Sequence, residues 1–229
     1  AKGSRITSEM ELFFELCPCK IFAVTGSDGK TTSTTLTYLM LTRELEARGS
    51  SAKVYVGGNI GKPLLPEIES ITPDDFAVLE LSSFQLHTMT RSPYSAAITN
   101  VSPNHLNWHT DMSEYIASKE NIFLHDGNER LVLNYGCEIT RDMYSLSKAE
   151  ITYFSAHTKP SLDHASAAVY LDGEDIVYST KSGSEIIMSR ADIKLPGIHN
   201  VENYMTAIAL TRGYVSNDTI RSLAREFGG

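Results

Sequence analysis

The 229-residue sequence predicts an α/β fold: a doubly wound, mostly parallel sheet plus a small antiparallel β meander. Three observations predict it. Apolar runs alternate with stretches of helical period along most of the chain. The runs Phe76-Ala77-Val78-Leu79 and Ala96-Ala97-Ile98 are continuous rather than alternating, as in parallel strands buried on both faces. The run Ile21-Phe22-Ala23-Val24 empties into a glycine loop just before a helical stretch.

Taken in order, residues 8–16 read as one short amphipathic helix with nothing upstream to pack against. Residues 1–20 are therefore expected to be the end of a truncated N-terminal domain and its linker, with one domain over 21–229. Within it the expected elements are strand 21–25, helix 30–48, and strands 53–56, 76–81 and 96–101. Helix 113–125, strand 130–133 and a strand near 151–154 follow, the helix started by the cap Asp111-Met112-Ser113-Glu114. The rhythm then shortens to strands 168–171, 176–179 and 186–189, split by Asp172-Gly173 and Ser182-Gly183 turns. A last helix over 200–212 places Val201, Tyr204, Met205 and Ile208 on one face and stops at Gly213.

The net charge of −8 argues against a nucleic-acid partner, because little would be gained by releasing phosphate counterions. Three cysteines, two of them in Cys17-Pro18-Cys19, form neither an even disulfide set nor a C-x-x-C pair, which suits a reducing cytoplasm. No apolar run approaches membrane-spanning length and no leader pattern opens the chain, so no membrane partner is expected.

The loop Thr25-Gly26-Ser27-Asp28-Gly29-Lys30-Thr31-Thr32 has the make-up of a phosphate cradle, a P-loop shortened to G-x-x-G-K-T because Val24 stands where the longer pattern has glycine. Its glycines allow a tight turn with N–H groups pointing inward, and the following helix adds the positive end of its dipole. Lys30 would reach the β/γ-phosphates of a nucleotide and the Thr31 hydroxyl would face Mg²⁺. Glu80 ends a buried run, where a carboxylate must pair or hold a cation. His105, just past the strand at 96–101, emerges at the same sheet edge. Lys119 sits on the apolar side of its helix; there it either snorkels to water or, kept neutral by burial, reacts with CO₂ to give a carbamate, an oxygen ligand for magnesium. His87, His109, His125, His157 and His164 read as ordinary hydrogen-bonding residues.

Six stretches in order, Thr25–Thr32, Gly57-Gly58-Asn59-Ile60-Gly61, Glu80-Leu81-Ser82-Ser83-Phe84-Gln85-Leu86, Asn100–His105, Tyr115–Lys119 and Leu195-Pro196-Gly197-Ile198-His199-Asn200, resemble the central domain of the Mur ligases. The stretch beginning at Glu80 is similar to that of the members that add D-glutamate. The resemblance implies the ATP-binding centre of a three-domain enzyme of peptidoglycan precursor synthesis. That enzyme joins D-glutamate to UDP-N-acetylmuramoyl-L-alanine through an acyl phosphate, with the UDP sugar on a preceding domain and a glutamate-binding C-terminal domain absent here. It implies ATP contacts from Gly26, Ser27, Asp28, Gly29, Lys30, Thr31 and Thr32, with Asn200 and Asn203 at the adenine. It further implies one magnesium on Thr31 and Glu80, a second on His105 and carbamylated Lys119, and contacts from Asn59, Ser82, Gln85 and His105 to the UDP-sugar substrate. Lys30, Glu80, His105 and Lys119 thereby become the expected catalytic set, while these residues alone are expected to be inactive as a ligase. Asn107 stands where the family more often has Asp. Two other readings are a folylpolyglutamate synthase-like amide ligase, which Phe84-Gln85 disfavours, and a non-catalytic nucleotide-dependent binding module.

Overall fold

The computed structural model describes residue 3 and residues 7–103 and 109–229. Helix α1 (Glu9–Leu16) opens on a reciprocal cap: the Ser8 hydroxyl accepts from the Glu11 N–H, and the Glu11 carboxylate accepts from the Ser8 N–H. Strand β1 (Lys20–Thr25), helix α2 (Lys30–Ala47), strand β2 (Val54–Gly58), strand β3 (Phe76–Glu80), the short helix α3 (Ser83–Leu86) and strand β4 (Ser95–Ile98) follow. Then come α4 (Met112–Glu120), β5 (Arg130–Asn134), α5 (Glu138–Asp142), β6 (Glu150–Ser155), β7 (Ala167–Asp172), β8 (Asp175–Thr180), β9 (Gly183–Ser189), α6 (Ile198–Thr211) and α7 (Asn217–Glu226).

Among the described residues the strands form one sheet in the order β2-β3-β1-β4-β5-β6-β7-β8-β9. Every pairing from β2 to β7 is parallel, and only β7–β8 and β8–β9 are antiparallel. The meander is therefore the continuation of the parallel sheet, because β7 pairs with β6 at one edge and with β8 at the other.

Both faces of the sheet are covered, which is why its strands read as unbroken apolar runs. On one face Ala77, Leu79, Ala96, Ile98 and Leu131 pack against Phe13 of α1, Leu86 of α3 and Tyr115 of α4. On the other, Phe22, Val24, Val78, Ala97 and Val132 pack against Leu36 and Met40 of α2, Tyr204 and Ile208 of α6, and Leu223 of α7. From β1 the chain moves to β2 and β3 on one side, then returns to β4 on the other, so β1 and β4 flank the topological switch point. Ligands of open α/β sheets bind at the carboxyl edge there.

The elements differ from expectation in informative places. The strand expected over 96–101 ends at Ile98, because Thr99 and Asn100 leave the ladder to brace the glycine loop. Helix α6 is buried nearly all round, including Asn203, Thr206 and Thr211, rather than on one face. Helix α7 was not expected; Ser216 caps it by accepting from the Thr219 N–H, and Ile220, Leu223 and Ala224 form its buried face. No described helix is long and apolar enough to cross a membrane.

Candidate nucleotide and metal site

The loop that leaves β1 is shaped by its glycines. Gly26 has φ +148°, and a Cβ there would collide with Thr99 Oγ1. Gly29 has φ +79°, a left-handed conformation that disfavours side chains, and a Cβ there would run into Asn203 Oδ1. Gly29 is also the N-cap of α2, with no side-chain cap and no acidic residue in the helix's first turn. The leading N–H groups of α2 are thus left for an anion rather than for a capping oxygen, in contrast to α1, which has both Ser8 and acidic residues.

Residues just past β4 brace this loop. The Ser27 N–H donates to the Asn100 carbonyl (2.9 Å) and the Asp28 N–H to Asn100 Oδ1 (2.9 Å), while Thr99 Oγ1 donates to the Asp28 carbonyl (2.6 Å). The Ser27 hydroxyl is buried between the Ser102 backbone and the Tyr115 hydroxyl (3.1 Å), so it braces the loop against α4. On the far side Asn203 Oδ1 accepts from Ser33 Oγ (3.1 Å), and Asn203 Nδ2 donates to Asn200 Oδ1 (3.1 Å), which places both asparagines of α6 at the base of the loop.

Two lysines converge on one carbonyl. Lys30 Nζ donates to Gly26 O (3.0 Å) and Ser27 O (2.9 Å), and Lys119 Nζ donates to the same Gly26 O (2.9 Å). Lys119 is 1% exposed, its Nζ 4.4 Å from the centre of the Tyr115 ring. Burial, reinforced by the charge of Lys30 and opposed by Asp28, pushes its amine down to about 7. Near neutral pH part of the Lys119 amine is therefore uncharged.

Glu80, at the carboxyl end of β3 and 2% exposed, accepts from Thr31 Oγ1 (2.7 Å) on one oxygen and from Asn59 Nδ2 (2.8 Å) on the other. The second glycine loop comes this close because Gly58, at φ +94°, leaves no Cβ to strike the Glu80 carbonyl. Gly58 thus serves close approach to Glu80. Ser82 and Gln85 form the reciprocal cap of α3, with Ser82 N and Oγ each 3.0 Å from Gln85 Oε1. Gly26, Lys30, Asn59, Ser82, Tyr115 and Lys119 line one cavity of about 140 Å³.

This arrangement brings Gly26–Thr32, Asn59, Glu80, Ser82, Lys119, Asn200 and Asn203 to one sheet edge. His105 and Asn107 lie outside the described residues. Among the described residues no group of three His, Cys, Asp or Glu could hold a metal, so a cation here would rest on Thr31 and Glu80 together with oxygens of the ligand itself. Wider open depressions of about 810 and 510 Å³ lie at the opposite, amino edge of the sheet around Tyr144 and Arg212, away from the glycine loop.

Sequence reading missed Thr99, Asn100 and Tyr115 as supports of the loop. Only Tyr115 carried a signal, four residues before Lys119 on a helix and hence beside it. His109 is the buried hydrogen-bonding residue it was expected to be, with Nε2 2.9 Å from Ser83 Oγ and its ring stacked on Phe84.

Residues 24–211 match the family described as the Mur ligase middle domain. Over its full length the chain is 49% identical to the UDP-N-acetylmuramoylalanine--D-glutamate ligase of Acetivibrio thermocellus and 46% identical to that of Ruminiclostridium cellulolyticum. It spans about half the length of these relatives, 47% of each. Its fold is similar to that of a solved UDP-N-acetylmuramoyl-L-alanyl-D-glutamate--2,6-diaminopimelate ligase, with a TM-score of 0.69 and 21% identity over 92% of this chain and 46% of that one. It is also similar to E. coli FolC in complex with DHPP and ADP, with a TM-score of 0.62 and 17% identity over 98% of this chain and 63% of that one. At such identities the two structures speak for the fold alone. Because the family pattern runs unbroken from the end of β1, through the glycine loop and the strand that carries Glu80, to the end of α6, the chain belongs to the Mur ligases and carries their middle domain.

Proposed function

We propose that this chain is the ATP-binding middle of a ligase that adds D-glutamate to UDP-N-acetylmuramoyl-L-alanine in peptidoglycan precursor synthesis. The observation that carries the reading is the uncapped N-terminus of α2 at Gly29, set beside Lys30 and the Thr31–Glu80 pair. The names of the relatives supply the substrates. The residues present fit a magnesium nucleotide: backbone N–H groups and Lys30 for phosphate oxygens, Thr31 and Glu80 for a cation, Asn200 and Asn203 for the base. A second magnesium would rest on His105 and carbamylated Lys119. Bound magnesium would neutralise the repulsion between a substrate carboxylate and the γ-phosphate.

The chain's own contribution is orientation and charge. Lys30 offsets the negative charge that builds up as the γ-phosphoryl group moves in line to the carboxylate, forming an acyl phosphate and ADP. The D-glutamate amine then attacks the activated carbonyl, phosphate leaves, and the amide forms with loss of a proton. Asn59, Ser82 and Gln85 line the approach for the UDP sugar. For Lys119, the neutral nitrogen adds to the carbon of CO₂ and releases a proton, leaving a carbamate oxygen toward the cavity. A cytoplasmic setting, where ATP is available, accompanies this reading.

A domain exchange tests the proposal. These 229 residues replace the matching segment of the Acetivibrio thermocellus ligase, and ADP and amide are followed with D-glutamate and with other amino acids. D-Glutamate-dependent amide formation supports it; ATP turnover without amide supports the nucleotide-dependent module instead, and amide on a folate-type acceptor supports the folylpolyglutamate-type ligase. The isolated 229 residues are expected to bind nucleotide without forming amide, because positioning of reactants supplies about 7–11 kcal/mol of such barriers. Incubation with ¹³C-bicarbonate should give a carbamate carbon signal that Lys119→Arg loses.

A further inference from the structure

The joint between α1 and β1 carries chemistry that the nucleotide site does not use. Cys17 is the C-cap of α1 and Cys19 immediately precedes β1. Cys17 has extended backbone dihedrals, φ −67° and ψ +119°, and in an extended segment residues two apart point to the same side. Their sulfurs accordingly lie 3.5 Å apart, with Cys17 Sγ also 3.9 Å from the Cys19 carbonyl. Cys17 is half-buried and reachable from solvent, and Cys19 is buried beneath it at 8% exposure. Cys137, by contrast, stands apart, its Sγ 3.7 Å from the Val101 carbonyl.

We propose that Cys17 and Cys19 are a reversible dithiol–disulfide pair that takes a low-molecular-weight disulfide as its oxidant. The roles divide by position. The contact between the two sulfurs holds the Cys17 thiol below the ordinary range, against the opposing effect of burial, while Cys19 is pushed up by the same contact, by burial and by Asp75. Cys17, the sulfur that solvent can reach, is therefore the attacking group. Its thiolate displaces one thiolate from the oxidant and forms a mixed disulfide. With the negative charge on Cys17 gone, the Cys19 thiol gives up its proton and attacks the Cys17 sulfur, releasing the second thiolate. The net change is two thiols and one disulfide converted to one protein disulfide and two small thiols, with electrons balanced.

A ring closed across Cys-Pro-Cys is small, and Cα atoms two apart in an extended segment lie at about the upper limit of 6.8 Å for a disulfide. Such a bond is strained and readily reduced, the property of a labile rather than a structural disulfide. It would also set the angle at which α1 leaves β1. Helix α1 forms one wall of a groove of about 330 Å³, where Ser8, Met10 and Phe13 face Gly58, Gly61 and Gln85.

The test uses the 229-residue protein and oxidised glutathione in excess over reduced glutathione, followed by alkylation and intact-mass and peptide mass spectrometry. The expected result is loss of two of the three alkylatable thiols and of two hydrogens in mass, with the bond mapped to Cys17–Cys19. Excess dithiothreitol should restore both thiols. In Cys19→Ser, whose hydroxyl cannot resolve the intermediate, Cys17 should retain one glutathione; in Cys17→Ser, Cys19 should stay unmodified. Both thiols remaining alkylatable in wild type would overturn the proposal, and so would a stable glutathione adduct in wild type or a bond involving Cys137. Wild type itself carries the decisive measurement if the buried Cys19→Ser change prevents folding.

Discussion

Glu44 near the end of α2 ties that helix to the start of α7, and the effect of replacing it with glutamine has a size that follows from its contacts. Glu44 is buried, at 6% exposure. One oxygen accepts from Ser216 N (3.0 Å), Ser216 Oγ (2.8 Å) and Thr219 Oγ1 (2.5 Å), and the other accepts from Arg48 Nε (2.8 Å). Burial alone would push the carboxyl up, but the donors from Thr219, Ser216 and Arg48 outweigh it and hold the group at about 2 against an ordinary 4.5. At ~1.4 kcal/mol per pH unit this is about 3 kcal/mol, and about 2–3 once the solvent-facing Arg48 contact is discounted. A depressed carboxyl stabilises the fold fully above the unfolded value and loses that contribution as pH falls through the folded one. Glu44→Gln keeps the shape but removes the charge, and its amide N–H₂ must face donors on one side or the other. Urea unfolding at pH 7 should show a loss of about 2–3 kcal/mol, equivalent to a melting temperature lower by about 4–12 °C. The gap between wild type and variant should hold down to about pH 5 and narrow as pH falls from about 4.5 toward about 2. A gap that is the same at pH 7 and pH 3, or that widens on acidification, would refute the electrostatic account and leave only packing.

The remaining expectations concern the loop. Gly29→Ala places a Cβ against Asn203 Oδ1 at φ +79° and should lower stability by about 1–3 kcal/mol in urea unfolding while weakening nucleotide binding. Thr31→Ala removes the hydroxyl that donates to Glu80 and should reduce the Mg²⁺ dependence of nucleotide binding, read by titrating the metal at fixed ATP. The ¹³C carbamate signal at Lys119 should grow as pH rises from about 6 to about 8, because an amine held near 7 becomes neutral across that interval; a signal flat over the same interval would contradict the neutral-amine account.

The sheet was legible because its signals are local. Continuous apolar runs marked β1, β3 and β4, turn pairs marked the meander, and Asp111 with Glu114 marked the start of α4, where the Asp111 side chain accepts from the Glu114 N–H (2.9 Å). The glycine loop with Lys30 was likewise readable from spacing. What escaped depends on tertiary partners. Thr99 and Asn100 look like strand residues until β4 is seen to end beside the loop. Helix α7 is short and charged on its outer side, and its anchor is Glu44, which is 172 residues from Ser216 in sequence. Its cap Ser216 and the spacing of Ile220, Leu223 and Ala224 were nevertheless available as signals. Ser82-x-x-Gln85 could similarly have been read as a capping box before being given a substrate contact. The place of Lys119 on the apolar side of its helix was visible in the sequence, but its burial and its convergence with Lys30 on the Gly26 carbonyl require the fold.

The central claim is that the uncapped start of α2, with Lys30, Thr31 and Glu80, is a magnesium-nucleotide site. Isothermal titration calorimetry of ATP into the 229-residue protein, with and without Mg²⁺ and with Lys30→Ala alongside, tests it directly. The account predicts Mg²⁺-dependent binding in wild type and affinity lower by roughly 10–100-fold in Lys30→Ala, since a charge-assisted phosphate contact contributes about 1.5–3 kcal/mol. Absence of Mg²⁺-dependent binding at millimolar ATP, or equal affinity in wild type and Lys30→Ala, would contradict it.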